Sequence, residues 1–413
     1  MEQLNLIIDT YQRIILESES QLAKIKRRIY RIGTLRLILF AAGVAGIIYF
    51  WSESKLVISG IAAITFIPFL LLVKLHNRLF RQKDYLEKKI EINRQELQAI
   101  AYDTSAFDNG KEFIDPAHLY TYDLDVFGEH SLFQYINRTA TQPGKKRLAE
   151  WMNTHLKNKA EIEKRQEAVK ELAPELEMRQ HFRILGLLHK GKTADEEEIR
   201  NWATSPEYYR TKWYFRTLAI LVPLANAVCL GLAIAGVISF TTWGIVFAGI
   251  GLLSSSFSKG VSQMQSVYGK KMQILTTYAH LIHIIEEKEM ESSALKRVKG
   301  LVGGEEQTAS QAVKRLTALM NALDQRNNML MQFVLNGLFF WELRQVMKIE
   351  TWKESFAANL PHWLEAIGEM DAYCSLATFA YNHPGYVFPE IASKPFCIEA
   401  EALGHPLMDR DKC

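Results

Sequence analysis

The longest uncharged stretch of the chain sets the strongest limit on how it can fold. Between Arg216 and Lys259, 42 consecutive residues carry no charged side chain. The hydrocarbon core of a bilayer is about 30 Å thick, so a helix needs roughly 20 apolar residues to cross it. The stretch is long enough to cross a membrane twice, and we predict a helical hairpin that turns near residues 236–242.

A second stretch has the same character. Residues 37–73 contain only two charged side chains, Glu53 and Lys55, and both lie at the midpoint. We predict another hairpin here, with spans over residues 35–50 and 56–73. The alternative is that each stretch is a helix pair buried in a soluble core. Core helices are usually amphipathic and carry charges every turn or two, so the uninterrupted apolar runs favour a membrane.

Lysine and arginine side chains flank both hairpins at their bases. They are Lys24, Lys26, Arg27, Arg28, Arg31, Arg36, Lys74, Arg78, Arg81 and Lys83 around the first hairpin, and Arg210, Lys212, Arg216, Lys259, Lys270 and Lys271 around the second. The turns carry only Lys55. Because positive flanks stay in the cytoplasm, we predict a multi-pass protein of the inner (cytoplasmic) membrane with the lipid bilayer as a partner. Both termini and the soluble body are expected on the cytoplasmic side.

Charge and cysteine content exclude some classes of function. The net charge of +3 is too small to indicate a nucleic-acid-binding protein, and the basic excess lies largely beside the hairpins, where it can meet anionic lipid. The four cysteines are Cys229, Cys374, Cys397 and Cys413. Their wide spacing, without a CxxC pair, indicates reduced thiols instead of a disulfide framework or a zinc site.

The rest of the sequence has mostly helical periodicity. The pattern predicts an amphipathic helix over residues 2–31, a charged helix over 75–103 that coils against it, long helices over 260–299 and 307–348, and a further helical region over 350–382. The tail after His383 alternates in hydropathy, which predicts a β-like segment.

Four segments resemble, in this order along the chain, motifs of the MutS family of DNA mismatch-repair proteins. Residues 124–152 and 162–172 resemble the opening of the family's core, or lever, domain. Residues 369–389 resemble the run that closes the lever, and residues 404–407 resemble the motif that opens the ATPase domain. The matching residues are Phe127, Ser131, Leu132, Thr139, Thr141, Gly144, Arg147, Trp151, Arg165, Gln166, Asp371, Ser375, Leu376, Ala377, Pro389, His405 and Pro406.

The resemblance implies a core of long lever helices. Together with the two hairpins and the alternating tail inferred above, it predicts an all-α fold with two transmembrane hairpins and a short β-like tail. It also implies that the full-length form is an ATP-driven homodimer that uses ATP and Mg²⁺ and binds mismatched DNA. The family's ATP site lies downstream of the motif at His405 and Pro406. We therefore expect this chain to be the front part of a longer polypeptide, with no cofactor, catalytic residue or metal site of its own, and not an enzyme by itself.

These expectations divide the chain into seven parts. They are a juxtamembrane helix (1–33), the first hairpin (34–74), a helix and linker (75–120), the first part of the core (121–215), the second hairpin (216–258), the lever helices (259–390) and the start of an absent ATPase domain (391–413). In the family, a DNA-gripping clamp is inserted between two long lever helices. The second hairpin is expected to take that place.

Two kinds of literal motif match are predicted to be coincidental. Gly186, Gly191, Lys192 and Thr193 fit the P-loop pattern, but an amphipathic helix precedes them where a P-loop requires a buried strand. Thr193 is better explained as the first residue of a capping box. The Phe-x-Glu matches at Phe127 and Phe388 lie in the wrong place for the family's mismatch-reading wedge.

Two clusters remain as weaker candidates. His280, His283, Glu286 and Glu287 share a helical face, yet no further metal ligand is signalled, so a polar surface is the simpler interpretation. Lys296, Arg297, Lys299, Lys314 and Arg315 surround a glycine-rich turn and could touch phosphate, although such residues usually form a solvated tip. A structural membrane scaffold, and less plausibly a nucleotide hydrolase acting through Gly186–Thr193, are the alternative functions.

Overall fold

All regular structure in the described part of the chain is helical. The structure is a computed structural model that describes residues 2–52, 54–188, 193–304, 307–324, 329–392 and 398–408. It describes the backbone but not the side chains of the helical residues 193–195, 255–272, 324 and 329–331. The prediction of an all-α fold with long helices is confirmed.

The helices fall into two compact units. Unit 1 comprises residues 1–137, 173–188 and 376–413, and unit 2 comprises residues 138–172 and 189–375. In chain order the helices are α1 Glu2–Tyr49, α2 Lys55–Ile100, α3 Leu132–Ile136, α4 Gln142–Asn153, α5 Lys159–Leu172, α6 Leu176–Leu188, α7 Thr193–Thr204, α8 Trp213–Ile234, α9 Phe240–Glu287, α10 Ser293–Val302, α11 Ala309–Asp324, α12 Met329–Phe339, α13 Trp341–Phe356 and α14 Leu360–Asn382.

In unit 1, α1 and α2 form a long antiparallel pair. The ion pairs Lys26–Glu87 and Glu19–Arg94 join their charged parts, with N–O distances of 2.9 and 2.5 Å. Their apolar parts approach closely at Gly43, where an added Cβ would lie 3.0 Å from the Thr65 side chain. The bend between them separates Tyr49 from Lys55, which is the turn that the two charged residues at the midpoint predicted.

Three helices, α1, α2 and α8, are long and apolar enough to cross a membrane. The most apolar windows of these helices have mean hydropathies of 1.9, 2.6 and 2.2, and at most 17% of such a window is buried inside the protein. The fourth predicted span falls in α9. Its apolar segment extends over Phe240–Ser254, and the remaining predicted span residues have side chains outside the described part.

A buried polar network joins four helical segments of unit 1. The Glu96 carboxylate of α2 accepts hydrogen bonds from Arg183 Nη1 of α6 at 2.5 Å and from Asn382 Nδ2 at the end of α14 at 2.9 Å. Asn382 Oδ1 in turn accepts from the Tyr11 hydroxyl of α1 at 2.8 Å. Each of these side chains is at least 91% buried. Buried polar groups need such partners because leaving one unsatisfied costs about 1–3 kcal/mol.

In unit 2, α9 is a single helix of 48 residues. At 1.5 Å per residue it is about 70 Å long. Its first part is apolar, and its last turn contacts α11, where the Glu286 carboxylate accepts hydrogen bonds from the Ser310 amide and hydroxyl at 2.9 and 2.5 Å. This contact satisfies a free amide at the beginning of α11.

The prediction of a single long helix over residues 260–299 is wrong, because the helix is interrupted between residues 287 and 293. Helix α9 ends at Glu287 and α10 begins at Ser293. The Glu171 carboxylate of α5 accepts hydrogen bonds from the Glu291 and Ser292 amides at 2.9 and 2.7 Å. A side chain that is distant in sequence therefore stabilises the break by satisfying amides at the start of α10.

The long helix predicted over residues 307–348 is also divided, into α11, α12 and the start of α13. Between α12 and α13, Phe340 adopts a left-handed conformation with φ of 51° and is buried. The Asn336 side chain accepts a hydrogen bond from the Glu342 amide at 2.9 Å, which caps the new helix.

The β-like tail is not found in the described part of the tail. Residues 383–392 and 398–408 contain turns and irregular backbone without a strand. Alternating hydropathy produces a strand only where a neighbouring strand accepts and donates the backbone hydrogen bonds.

We predict that Arg183→Met destabilises the protein by about 3 kcal/mol, because it leaves the Glu96 carboxylate buried without its cation. The matched control is Arg94→Met, which removes an exposed ion pair between α1 and the same helix α2 and should cost less than about 1 kcal/mol. Denaturant unfolding of the detergent-solubilised chain, followed by helical circular dichroism, measures both. Equal costs for the two variants would contradict the structural role of the network.

Candidate functional site

The motif residues of two segments that are distant in sequence meet at the Asp371 carboxylate in unit 2. Asp371 lies on α14 and is 1% exposed. Its oxygens accept hydrogen bonds from the Ala140 amide at 3.0 and 3.1 Å and from the Thr141 amide at 2.8 Å. The Thr141 hydroxyl donates a further bond at 2.7 Å. We refer to this arrangement of Asp371 with residues 138–144 as the aspartate joint.

The same threonine begins helix α4. Thr141 is the N-cap residue, and its hydroxyl oxygen accepts a hydrogen bond from the Gly144 amide at 3.0 Å. Capping by threonine satisfies one of the free amides at a helix start. One turn further along α14, the Ser375 hydroxyl accepts a hydrogen bond from the Arg138 amide at 2.8 Å. The extended segment before α4 is therefore fixed to α14 at two successive points.

Two glycines allow the backbones to come this close. A Cβ added to Gly144 would lie 2.1 Å from Asp371 Oδ2, and one added to Gly368 would lie 2.9 Å from the Pro143 carbonyl oxygen. Real Cβ atoms essentially never approach other atoms so closely. The glycine in the first motif is therefore required by contact with α14 and not by a turn.

Arginines from two other helices meet the acidic residues that lie two and six positions before Asp371 on α14. The Glu369 side chain, 5% exposed, pairs with Arg297 of α10, and lies 3.8 Å from Arg147 of α4. Arg147 also lies 3.4 Å from Glu365. The hydrogen bond to Glu369 raises the pKa of Arg297, so this guanidinium stays charged at physiological pH.

An aromatic stack extends the joint toward α5. The Arg165 guanidinium lies 4.1 Å from the centroid of the Trp151 ring, and Trp151 meets the Tyr373 ring at 4.7 Å. Burial lowers the pKa of Arg165, which Tyr373 and Glu369 oppose. Burial also raises the pKa of the Tyr373 hydroxyl, which keeps that group neutral. Motif residues from all three matching core segments therefore form one connected cluster.

The cluster is suited to a mechanical role. Its carboxylates accept hydrogen bonds from backbone amides or pair with arginines. The Thr141 hydroxyl caps α4, and the Ser375 hydroxyl accepts from the Arg138 amide, so these groups are held by structural contacts. In the described part of the chain, no group of three or more His, Cys, Asp or Glu side chains could hold a metal ion. Buried, fully partnered polar groups of this kind rigidify and orient the elements that they connect.

The remaining motif residues lie elsewhere. In unit 1, Phe127 is buried against Phe133, with ring centroids 5.2 Å apart, and Ser131 caps α3 by accepting from the Gln134 amide at 3.2 Å. Phe127 is therefore a core residue and not a DNA wedge. Leu132, Thr139, Gln166, Leu376 and Ala377 are buried or half-buried helix or loop residues, whereas Pro389 and His405 are exposed and Pro406 is half-buried in the tail.

Those of the weaker candidate residues that the structure describes have structural roles. Gly186 is buried within helix α6, and α7 begins at Thr193; Gly191 and Lys192 lie outside the described residues. His283 lies 3.4 Å from Glu287, and Glu286 caps α11 as described above. Of the described cysteines, Cys374 is buried and Cys229 half-buried, and neither is part of a disulfide.

Some side chains of the basic cluster at the glycine-rich turn are engaged in contacts within the protein. Arg297 pairs with Glu369, and Lys299 Nζ donates to the Lys288 carbonyl oxygen at 2.8 Å. Lys314 and Arg315 are exposed on α11. Fewer cations are therefore available for phosphate than the sequence indicated.

Sequence reasoning missed Gly368 and Arg297 as parts of the joint. Gly368 precedes Asp371 by three residues and so shares its helical face, which was an available signal. Arg297 is separated from Glu369 by 72 positions, and no local pattern connects them.

Comparison with known proteins agrees with the motifs. Residues 118–377, more than half of the 413-residue chain, match the family model of MutS domain III. The matched range contains both sides of the aspartate joint as well as α8 and the apolar start of α9. No curated protein and no solved structure matches the chain.

We predict that Gly144→Ala destabilises the chain by about 2–3 kcal/mol, because the new methyl group would overlap the Asp371 carboxylate. Gly300→Ala is the matched control. Gly300 lies in helix α10 with no atom within 4 Å of an added Cβ, so this change should be neutral or stabilising by up to about 1 kcal/mol. Thermal and denaturant unfolding of both variants provides the comparison. A harmless Gly144→Ala would show that the two backbones are not held in contact.

Proposed function

The chain belongs to the MutS family, and on that premise we propose that it is a membrane-tethered lever module. In its complete form, it would be part of an ATP-driven homodimer of mismatch-repair type. ATP and Mg²⁺ would be bound by an ATPase domain of the full-length form, and the lever would carry the movement of that domain to the membrane.

The continuity of α9 is the observation that supports this proposal most strongly. One 48-residue helix begins in an apolar segment, Phe240–Ser254, and ends at Glu287 against α11 within the matched family domain. A continuous helix transmits a displacement along its axis with little loss, because bending it requires breaking its regular hydrogen bonds. Movement of the lever would therefore move the apolar segment directly.

The aspartate joint supplies the other end of this path. Helix α9 is followed by α10, whose Arg297 pairs with Glu369, two residues before Asp371. Helix α10 is held to α5 by the hydrogen bonds from its first amides to Glu171. Partial burial opposes ionisation of Glu171, but the hydrogen bonds prevail and lower its pKa, so the contact persists at neutral pH. These contacts are consistent with a stiff connection between joint and lever.

The membrane tether is supported by helices that expose apolar side chains. Helices α1, α2 and α8 satisfy the length and composition of membrane spans, and α9 would complete a second hairpin with α8. Asn226 of α8 donates to the Gly337 carbonyl oxygen of α12 at 3.1 Å and accepts from Trp243 Nε1 of α9 at 3.0 Å, so two neighbouring helices satisfy this amide. The basic flanks of both hairpins favour a cytoplasmic location for both termini and the helical body.

Mismatched-DNA binding is the part of the family's function that these residues support least. The second hairpin lies within the matched domain and would take the place of the family's clamp, and two cations of the basic cluster are engaged internally. We propose that the levers of this chain act on a membrane where other members of the family act on DNA.

Replacing residues 37–73 by a short Gly–Ser linker should leave the chain in the membrane, because α8 and α9 would still anchor it. Sodium carbonate extraction of membranes, followed by immunoblotting, measures the retained fraction. Replacing residues 213–254 as well should release the chain. A soluble, monodisperse protein after the first replacement alone would show that α8 and α9 form part of a soluble core.

The chain should not discriminate a mispaired DNA duplex from its matched control. Affinity for DNA depends largely on cations that contact phosphates, and few remain available here. Fluorescence titration of both duplexes in the same detergent, at about 150 mM salt, provides the test. A preference of tenfold or more for the mispaired duplex, equivalent to about 1.4 kcal/mol, would contradict a lever that acts on a membrane alone.

A further inference from the structure

The part of the first hairpin's base that adjoins the apolar spans carries positive charge that no acidic residue nearby in the sequence offsets. No Asp or Glu occurs between Ser20 and Ser52 or between Ser54 and Lys83. Arg36 is the cation closest to the first apolar span. Along α1, the nearest acidic residue before it is Glu19, about 25 Å away at 1.5 Å per residue. A cation at a membrane surface that is not paired with a carboxylate attracts anionic lipid headgroups.

Arg36 lies at one end of an apolar groove between α1 and α2. Its guanidinium carbon is 6.0 Å from the centroid of the Phe69 ring, and it precedes Phe40 by about one helical turn. Phe40 and Phe69 both line the groove. On α2, the first acidic residue after Phe69 is Asp84, about 22 Å further along the helix.

The groove itself has the properties of an acyl-chain site. It has a volume of about 370 Å³, and its walls include Leu39, Val44 and Phe66 beside the two phenylalanines. Thr65 is the polar side chain among the lining residues, and its hydroxyl already donates to the Ile61 carbonyl oxygen at 2.8 Å. A polar ligand would therefore find no partner along the walls, whereas a hydrocarbon chain would fill them.

We propose that this groove and Arg36 bind one acidic glycerophospholipid, with an acyl chain along the groove and the phosphate on the Arg36 guanidinium. The inference rests on the proposed membrane tether. A guanidinium presents a planar fork of donors that matches phosphate oxygens. Lys74, exposed five residues after Phe69, adds positive charge at the same end of the hairpin. A zwitterionic lipid would bring its own cation to this region, so a lipid of net negative charge fits the site better.

Native mass spectrometry of the full chain, released from detergent, tests the proposal. The probes are dioleoylphosphatidylglycerol, dioleoylphosphatidylcholine and glycerol phosphate, each added at the same concentrations. We expect one phosphatidylglycerol per chain to be retained at least fivefold more tightly than phosphatidylcholine, the ratio that one favourable basic contact supplies at a membrane surface. Glycerol phosphate should not be retained, because it has no chain to occupy the groove.

Variants at Arg36 and in the groove distinguish binding at this site from a general electrostatic attraction to lipid. Arg36→Gln should weaken phosphatidylglycerol retention about fivefold, and Arg36→Lys should restore part of it. Arg31→Gln removes an exposed cation one turn away and should change retention less than twofold. In the groove, Ala63→Phe should displace the lipid, whereas Ala41→Phe, on an exposed face of α1 outside the lining residues, should not.

Equal effects of Arg36→Gln and Arg31→Gln would overturn the site, since they would indicate diffuse electrostatic attraction. Equal retention of the two phospholipids by the wild-type chain would overturn it as well. Carbonate extraction of each variant reports insertion independently. A chain that remains inserted and shows no lipid preference removes the lipid site and leaves the tether standing, whereas a chain that is not inserted contradicts the proposed function itself.

Discussion

The Asp371 carboxylate is the group on which the matched domain depends most. A buried carboxylate is costly unless several donors surround it. Here two backbone amides and the Thr141 hydroxyl supply those donors, and the hydroxyl also caps α4. The interaction therefore orders a helix start and joins it to a helix more than two hundred positions away in one step. Because the Ala140 donor is a backbone amide, the interaction does not depend on the side chain at position 140, which only has to fit.

The same physical solution appears in unit 1, with different residues. Glu96 accepts from Arg183 and Asn382 and connects the ends of helices that are distant in sequence. In both units the polar groups that join helices are buried and partnered, so they specify which helices meet, while apolar contacts supply most of the stabilising free energy. The apolar halves of α1, α2 and α8 differ, because most of their side chains have no partner inside the protein.

This division suggests how a lever of this family can be adapted to a membrane. Long helices keep their direction over distances of about 70 Å. The residues at one end can therefore change without altering the contacts at the other end. A helix that is apolar at its beginning and packed in the domain at its end connects the two environments without an intervening loop. The aspartate joint is built from residues that match the family's motifs, while the surface on which the proposed lever would act is open to change.

What the sequence determined by itself is local. The all-α fold and the hairpin turns at 50–54 and 235–239 could be predicted from local features. These features are uncharged runs of about 20 residues, the charges that interrupt them and the periodicity of the charged segments. Short motifs were sufficient to identify the family. The tertiary structure alone decided where the long helices break, because Glu171 and Asn336 stabilise those breaks through contacts that helical propensity does not contain. It also decided that Gly144 is required by Asp371 and that Arg297 is held by Glu369, since side chains so far apart in sequence leave no joint pattern until the chain is folded.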